Sequence, residues 1–87
     1  MISALVTNIN SDDIIIYPNP ANDFIYIENA ENTSVEIYNL LGAIVISKSI
    51  TQNRELFSLD GLTKGSYLIK VTDSSGLINR KVVFIKL

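Results

Sequence analysis

Histidine, cysteine and tryptophan are all absent from this sequence of 87 residues. Without His or Cys there is no zinc site of the usual ligand set, no thiol nucleophile and no Ser–His pair. No disulfide can staple the fold. Nothing approaches 18 consecutive apolar residues, so no helix is expected to span a membrane. The longest apolar run, Leu40 to Ile46, carries Gly42 inside it. Basic residues are missing from the first half of the chain. Residues 1–47 hold six acids (Asp12, Asp13, Asp23, Glu28, Glu31, Glu36) and no base, whereas residues 48–87 hold seven bases and three acids. The net charge of −2 conceals this layout. It is either a solvated surface with unlike ends or a basic carboxyl half that meets an acidic partner. Nucleic acid is not an expected partner, because the balance is acidic and no aromatic-plus-basic patch appears.

What remains is one small domain. A chain this short buries only about 60–65% of the surface its unfolded state exposes. Its 47% apolar content, mostly Ile, Val and Leu, must supply the stability, and these residues suit a β core. Carboxylates, hydroxyls, lysines and four tyrosines are the chemistry available. No spacing suggests two carboxylates converging in a pocket, so no enzyme, cofactor or metal is expected. Asp12-Asp13 and Asp73-Ser74-Ser75-Gly76 lack the ligand count and spacing of a calcium loop. Residues 1–13 have no basic start and too short an apolar stretch for a signal peptide. Their Asn, Ser and Asp content reads as a linker, with the folded domain at 14–87.

Short extended runs recur between turn residues. They are Ile14–Tyr17, Phe24–Glu28, Ser34–Asn39, Ala43–Ile50, Glu55–Leu59, Ser66–Thr72 and Leu77–Leu87. Alternation puts Val35 and Ile37 on one face and Glu36 and Tyr38 on the other. It separates Tyr67, Ile69 and Val71 from Leu68 and Lys70 in the same way. Period-two patterning with regular turns predicts an all-β fold, an Ig-like antiparallel β-sandwich of about seven strands.

Three features stand out. In Tyr17-Pro18-Asn19-Pro20 neither proline can sit in a central strand, so the run ends one strand and aims the next. It is a rigid corner, or a recognition corner on the surface. Gly65 can take a positive φ where the sixth strand begins. Tyr67 then points inward with its hydroxyl bonded back to the preceding loop, as sandwich domains often arrange at this corner. The final run, Arg80 to Leu87, places five apolar residues among basic ones. It is an ordinary last strand with lysines guarding its edge, or a strand whose edge and end are presented to a receptor, and both readings can hold together.

In order along the chain, these motifs resemble the carboxyl-terminal sorting domain, type A, of proteins exported by the type IX secretion system of Bacteroidetes-type bacteria. The resembling segments are Tyr17-Pro18-Asn19-Pro20 with the extended run to Ile27, Val35 to Gly42, Leu62 to Val71 with its Gly65-Ser66-Tyr67, and the basic strand Lys81 to Leu87. They cover residues 14–87. Many family members end on a basic residue, whereas Leu87 follows Lys86 here. The resemblance implies an Ig-like sandwich that forms a tail on a larger, covalently attached cargo. It implies folding in the periplasm, recognition by the outer-membrane translocon and delivery to the cell surface or medium. It also implies removal by a sortase-like peptidase at a point in or before residues 1–13. Lys81, Lys86 and Leu87 are the expected docking residues. Tyr17, Pro18, Asn19, Pro20, Gly42, Gly65 and Tyr67 are family-motif positions that act mainly in the structure. An open sheet edge leaves room for a dimer. The alternative is an Ig-like or fibronectin-like adhesion or carbohydrate-binding module, for which Tyr26 and Tyr38 are the stacking candidates.

Overall fold

The computed structural model describes residues 13–87. Seven strands follow in order: β1 (Ile15–Tyr17), β2 (Phe24–Glu28), β3 (Thr33–Tyr38), β4 (Ile44–Ile50), β5 (Arg54–Ser58), β6 (Gly65–Thr72) and β7 (Ile78–Lys86). Each starts and stops within one residue of the run read from alternation. The linker assigned to residues 1–13 lies outside the described residues, apart from Asp13. The Asp13 carbonyl accepts a hydrogen bond from Asn29 Nδ2 at 2.9 Å.

The strands form two antiparallel sheets, ordered β1-β2-β5 and β4-β3-β6-β7. This is the expected Ig-like sandwich. In the constant-type immunoglobulin arrangement the fourth strand pairs with the fifth, but here β4 pairs with β3 instead. One side chain in two faces the partner sheet. Ile25, Ile27 and Phe57 from one sheet and Val35, Ile37, Ile69, Val71 and Phe84 from the other make a single buried core. Ile14, Ala21, Ala30 and Leu59 close it from the connections.

The turns follow from their residues. Asn39 Oδ1 accepts from the N–H groups of Leu41 and Ala43, and Gly42 N–H donates to Asn39 O. That closure puts Gly42 at φ 84°, where an L side chain is strained. Asn29 and Asn32 hold left-handed φ values of 65° between β2 and β3, a conformation asparagine tolerates better than most residues. Asp73 Oδ1 accepts from Ser75 N–H, Ser75 Oγ–H and Leu77 N–H, which shapes the β6–β7 hairpin. These bonds, Ser75 Oγ–H first, hold the Asp73 carboxyl below the usual carboxylate range.

Candidate functional site: the last strand and the corner that holds it

β7 runs along the outside of the larger sheet, antiparallel to β6. Phe84 points inward against Tyr67, with ring centroids 5.4 Å apart and edge-to-face. The Tyr67 hydroxyl donates to the Thr63 carbonyl at 2.6 Å, which is the expected bond back to the loop. Gly65, at φ 142°, lets the chain turn into β6.

The outer edge of β7 is where the Tyr17-Pro18-Asn19-Pro20 corner lies. Both X-Pro peptide bonds are cis. Asn19 Nδ2 donates to Val83 O, and Asn19 Oδ1 accepts from Ile85 N–H, both at 3.1 Å. Ala21 continues the pairing: its N–H donates to Ile85 O and its carbonyl accepts from Leu87 N–H, each at 2.8 Å. The result is a parallel bridge of Ala21 to Lys86. The side-chain amide of Asn19 therefore substitutes for a strand peptide group, and the corner is a clamp on the last strand. From the sequence this strand was either an ordinary last strand with lysines guarding its edge or one whose edge is presented to a receptor. Over residues 83–87 that edge is occupied by the chain itself.

Alternation separates the expected docking residues. Lys81 pairs with Lys70 and shares the outer face with Val83 and Ile85. Lys86 pairs with Gly65, on the side of the strand that carries Phe84. Five residues of strand, about 17 Å, and opposite faces divide the two lysines. Lys86 is half-buried and its Nζ donates to Leu87 O at 3.2 Å. Leu87 is exposed. No single patch holds all three.

Two further groupings were missed in the sequence. Lys48 reaches from β4 across to β5, where its Nζ pairs with Glu55 Oε2 at 3.0 Å, donates to Leu56 O at 2.9 Å and lies over the Phe57 ring. It ties the two sheets together at their shared margin. On the outer face of the larger sheet, Tyr38 Oη donates to Glu36 Oε1 at 2.6 Å, and Lys70 Nζ lies 3.2 Å from the same oxygen. The Tyr38 bond and then Lys70 lower the Glu36 pKa, and Tyr38 and then Glu36 raise that of Lys70.

The two stacking candidates for a carbohydrate are already engaged. The Arg54 guanidinium sits 4.1 Å from the Tyr26 ring centroid, and Lys70 Nζ sits 5.2 Å from that of Tyr38. Each ring has a face taken by a cation. Tyr17 lies beside Tyr26 and donates its hydroxyl to Glu28 Oε2, which raises the Tyr17 pKa. No helix among the described residues is long and apolar enough to cross a membrane.

The two antiparallel sheets make the domain an Ig-like sandwich with its last strand held by the corner, and the comparisons give the family. The model of the secretion system C-terminal sorting domain family matches residues 15–86. The chain belongs to that family, the type IX sorting tail. It is 38% identical over 63 residues to beta-agarase A of Zobellia galactanivorans, covering 69% of this chain and 12% of the relative. It is 26% identical over 74 residues to beta-agarase D of the same organism, covering 84% of this chain and 15% of the relative. The chain thus spans a small fraction of the length of these relatives. Its fold is similar to a solved structure of PorZ, described as an essential bacterial surface component of the type IX secretion system of Porphyromonas gingivalis. That likeness has a TM-score of 0.75 and 21% identity, and covers 87% of this chain and 12% of the other. The domain's role is that of a C-terminal secretion signal, which implies export to the cell surface or medium. The adhesion or carbohydrate-binding alternative is not favoured.

Proposed function

We propose that the domain is a non-catalytic address label whose folded surface, rather than a loose tail, is read by the outer-membrane translocon. The observation that supports this reading is the clamp. Asn19 and Ala21 fix β7 to its last residue, so Lys81, Val83 and Ile85 are presented in a set order. Lys81 and Leu87 are the docking contacts on this side, and Lys86 contributes from the end of the opposite face. The label rides on an upstream cargo, passes through the periplasm folded, and is removed by a sortase-like peptidase within or before residues 1–13. β4 is the edge best suited to a dimer, being seven residues long and free of proline, with its lysine drawn inward to Glu55.

The test fuses residues 1–87 to the carboxyl end of a periplasm-directed fluorescent reporter. The reporter is expressed in a host with a working type IX system and in the same host with the system disabled. Surface or medium fluorescence only in the competent host is the expected result. A stable, folded fusion retained in the periplasm of both hosts overturns the reading. Lys81→Glu and Lys86→Glu are then compared separately, because a charge change at the exposed Lys81 costs little stability, whereas Lys86 is half-buried and its variant is first checked for folding. Normal export of both folded variants removes them as docking residues. Deleting Lys81–Leu87 would not discriminate, since it also removes the buried Phe84.

A further inference from the structure

Two neighbouring rows of side chains run across the strands on the outer face of the larger sheet. In one row Ile44, Tyr38, Leu68 and Val83 are successive cross-strand partners on β4, β3, β6 and β7. In the next row the successive partners are Ser47, Glu36, Lys70 and Lys81. An apolar row therefore lies beside a polar one. The apolar row is open to solvent, with Ile44 51% and Val83 60% exposed, and Leu40 and Leu41 project beside it at 81% and 93%. A groove of about 570 Å³ runs over the Tyr38, Leu68 and Val83 part of this row, lined also by Leu40, Lys70 and Lys81. Leu40 to Leu41 is thus an uncovered apolar tip at the mouth of a groove, where a sandwich exterior is ordinarily polar.

The charged row is unbalanced. Lys70 and Lys81 are directly opposite one another, a repulsive arrangement. Glu36 is the one carboxylate in the row, and it is committed to Lys70 and Tyr38. A further anion from outside would relieve the lysine pair.

Spacing bears on the shape of an occupant that lies across the strands. Neighbouring strands lie about 4.8 Å apart, and the two rows are about 6.8 Å apart, two residues along a strand. Side chains three or four apart on a helix repeat at about 5–6 Å, whereas same-face residues of an extended peptide repeat at about 6.8 Å. For a segment lying across the strands, the helical repeat is nearer than the extended repeat to the step of about 4.8 Å from one strand to the next within a row. The apolar stripe of such a helix would lie on Tyr38, Leu68 and Val83, and an acidic stripe beside it would face Lys70 and Lys81. We propose that this face is the docking site for an acidic amphipathic helix of a partner protein. This rests on the reading of the domain as a docking module and supplies the chemistry of what docks. Hydrophobic anchors at helical spacing would give affinity, and the lysines would fix the orientation.

The experiment titrates isotopically labelled residues 1–87 with three synthetic peptides, read by NMR amide shifts and, for the peptide, circular dichroism. The first carries a leucine stripe flanked by glutamates, the second has lysines in place of the glutamates, and the third is the first with a central proline. The first should bind saturably, gain helicity and shift Tyr38, Leu68, Lys70, Lys81 and Val83, while the other two bind at least about tenfold more weakly. Lys81→Glu and the double variant Leu40→Ser with Leu41→Ser should each weaken it by a similar factor, with unchanged melting curves. The proposal is overturned by equal response to all three peptides or by no saturable shift. It is also overturned if shifts centre on the β4 edge, or if the groove is covered by a second copy in a concentration-dependent dimer. The reporter assay reads the sorting role separately. Normal export of these folded variants overturns this face as the export dock and leaves the sorting role standing. Failure of the unmutated tail overturns the sorting role, and the titration still decides the groove.

Discussion

The side-chain amide of Asn19 is hydrogen-bonded to the backbone of Ile85, 66 residues further along the chain. With its second bond to Val83 O, it makes the motif corner and the terminal strand one unit. Replacing Asn19 with Ala removes both bonds. At about 0.5–1.5 kcal/mol for a net hydrogen bond, and with both exposed, the expected loss is about 1 kcal/mol in urea unfolding. The sharper readout is hydrogen exchange, in which the Ile85 amide should lose protection far more than Ile69. Asn19→Asp keeps the acceptor for Ile85 N–H and loses the donor to Val83, so it should fall between. Unchanged exchange at Ile85 in Asn19→Ala would show that the bond does not hold the strand.

Tyr67→Phe should cost about 0.5–1.5 kcal/mol, the worth of the hydroxyl bond to Thr63 O. The ring stays packed on Phe84. By contrast, Phe84→Ala empties a fully buried site and should cost about 3–5 kcal/mol. Chemical denaturation of the two variants side by side checks both, and a Tyr67→Phe midpoint equal to the parent's would contradict the corner.

Glu55 is buried with its Oε1 unpartnered among the described residues, while its Oε2 pairs with a Lys48 that is 43% exposed. Removing Lys48 alone leaves a buried carboxylate without a counter-charge. Breaking a fully buried pair costs about 3–5 kcal/mol, and the exposure of Lys48 reduces this to about 1–3 kcal/mol. The double variant Lys48→Met with Glu55→Leu should recover most of the loss, because no charge is then stranded. A double variant less stable than Lys48→Met would reverse that account.

Acid should weaken the fold through two identified carboxylates. Tyr38 and Lys70 lower the Glu36 pKa, and Ser75 with the hairpin N–H groups lowers that of Asp73. Depressed folded-state values mean that both contributions are fully present above the ordinary carboxylate range and disappear as pH falls through the lowered values. The melting temperature should therefore drop on acidification below about pH 4. The variant Glu36→Gln with Asp73→Asn should show a shallower drop. Tyr17 and Lys70 have raised values, so their contributions are lost at the alkaline end as pH climbs through them. A pH profile identical in parent and variant would exclude both carboxylates.

Much of the fold was legible because β-strands write a period of two into a sequence. Val35 and Ile37, then Tyr67, Ile69 and Val71, point inward as their alternation requires, and Pro18, Gly42 and Gly76 end runs for steric reasons that are local. The same parity puts Lys81 and Lys86 on opposite faces, so their separation was also written in the sequence, although the two lysines were grouped there. Asn19 was harder to assign. An asparagine between prolines reads as a turn residue, and nothing local distinguishes a turn asparagine from one that pairs with a distant strand.

By itself the sequence determined the strand positions, the inward and outward faces, the Tyr67 corner and the family, since each depends on residues close together in the chain or on their order. The tertiary structure alone decided that β4 joins β3, that the corner closes the edge of β7, and that Tyr38, Leu68 and Val83 line up in one row beside Glu36, Lys70 and Lys81. The physical reason is register. Alternation fixes the face a side chain occupies, but its neighbours across the sheet depend on how far one strand slides along the next, and that is settled only when the buried faces of all seven strands pack together.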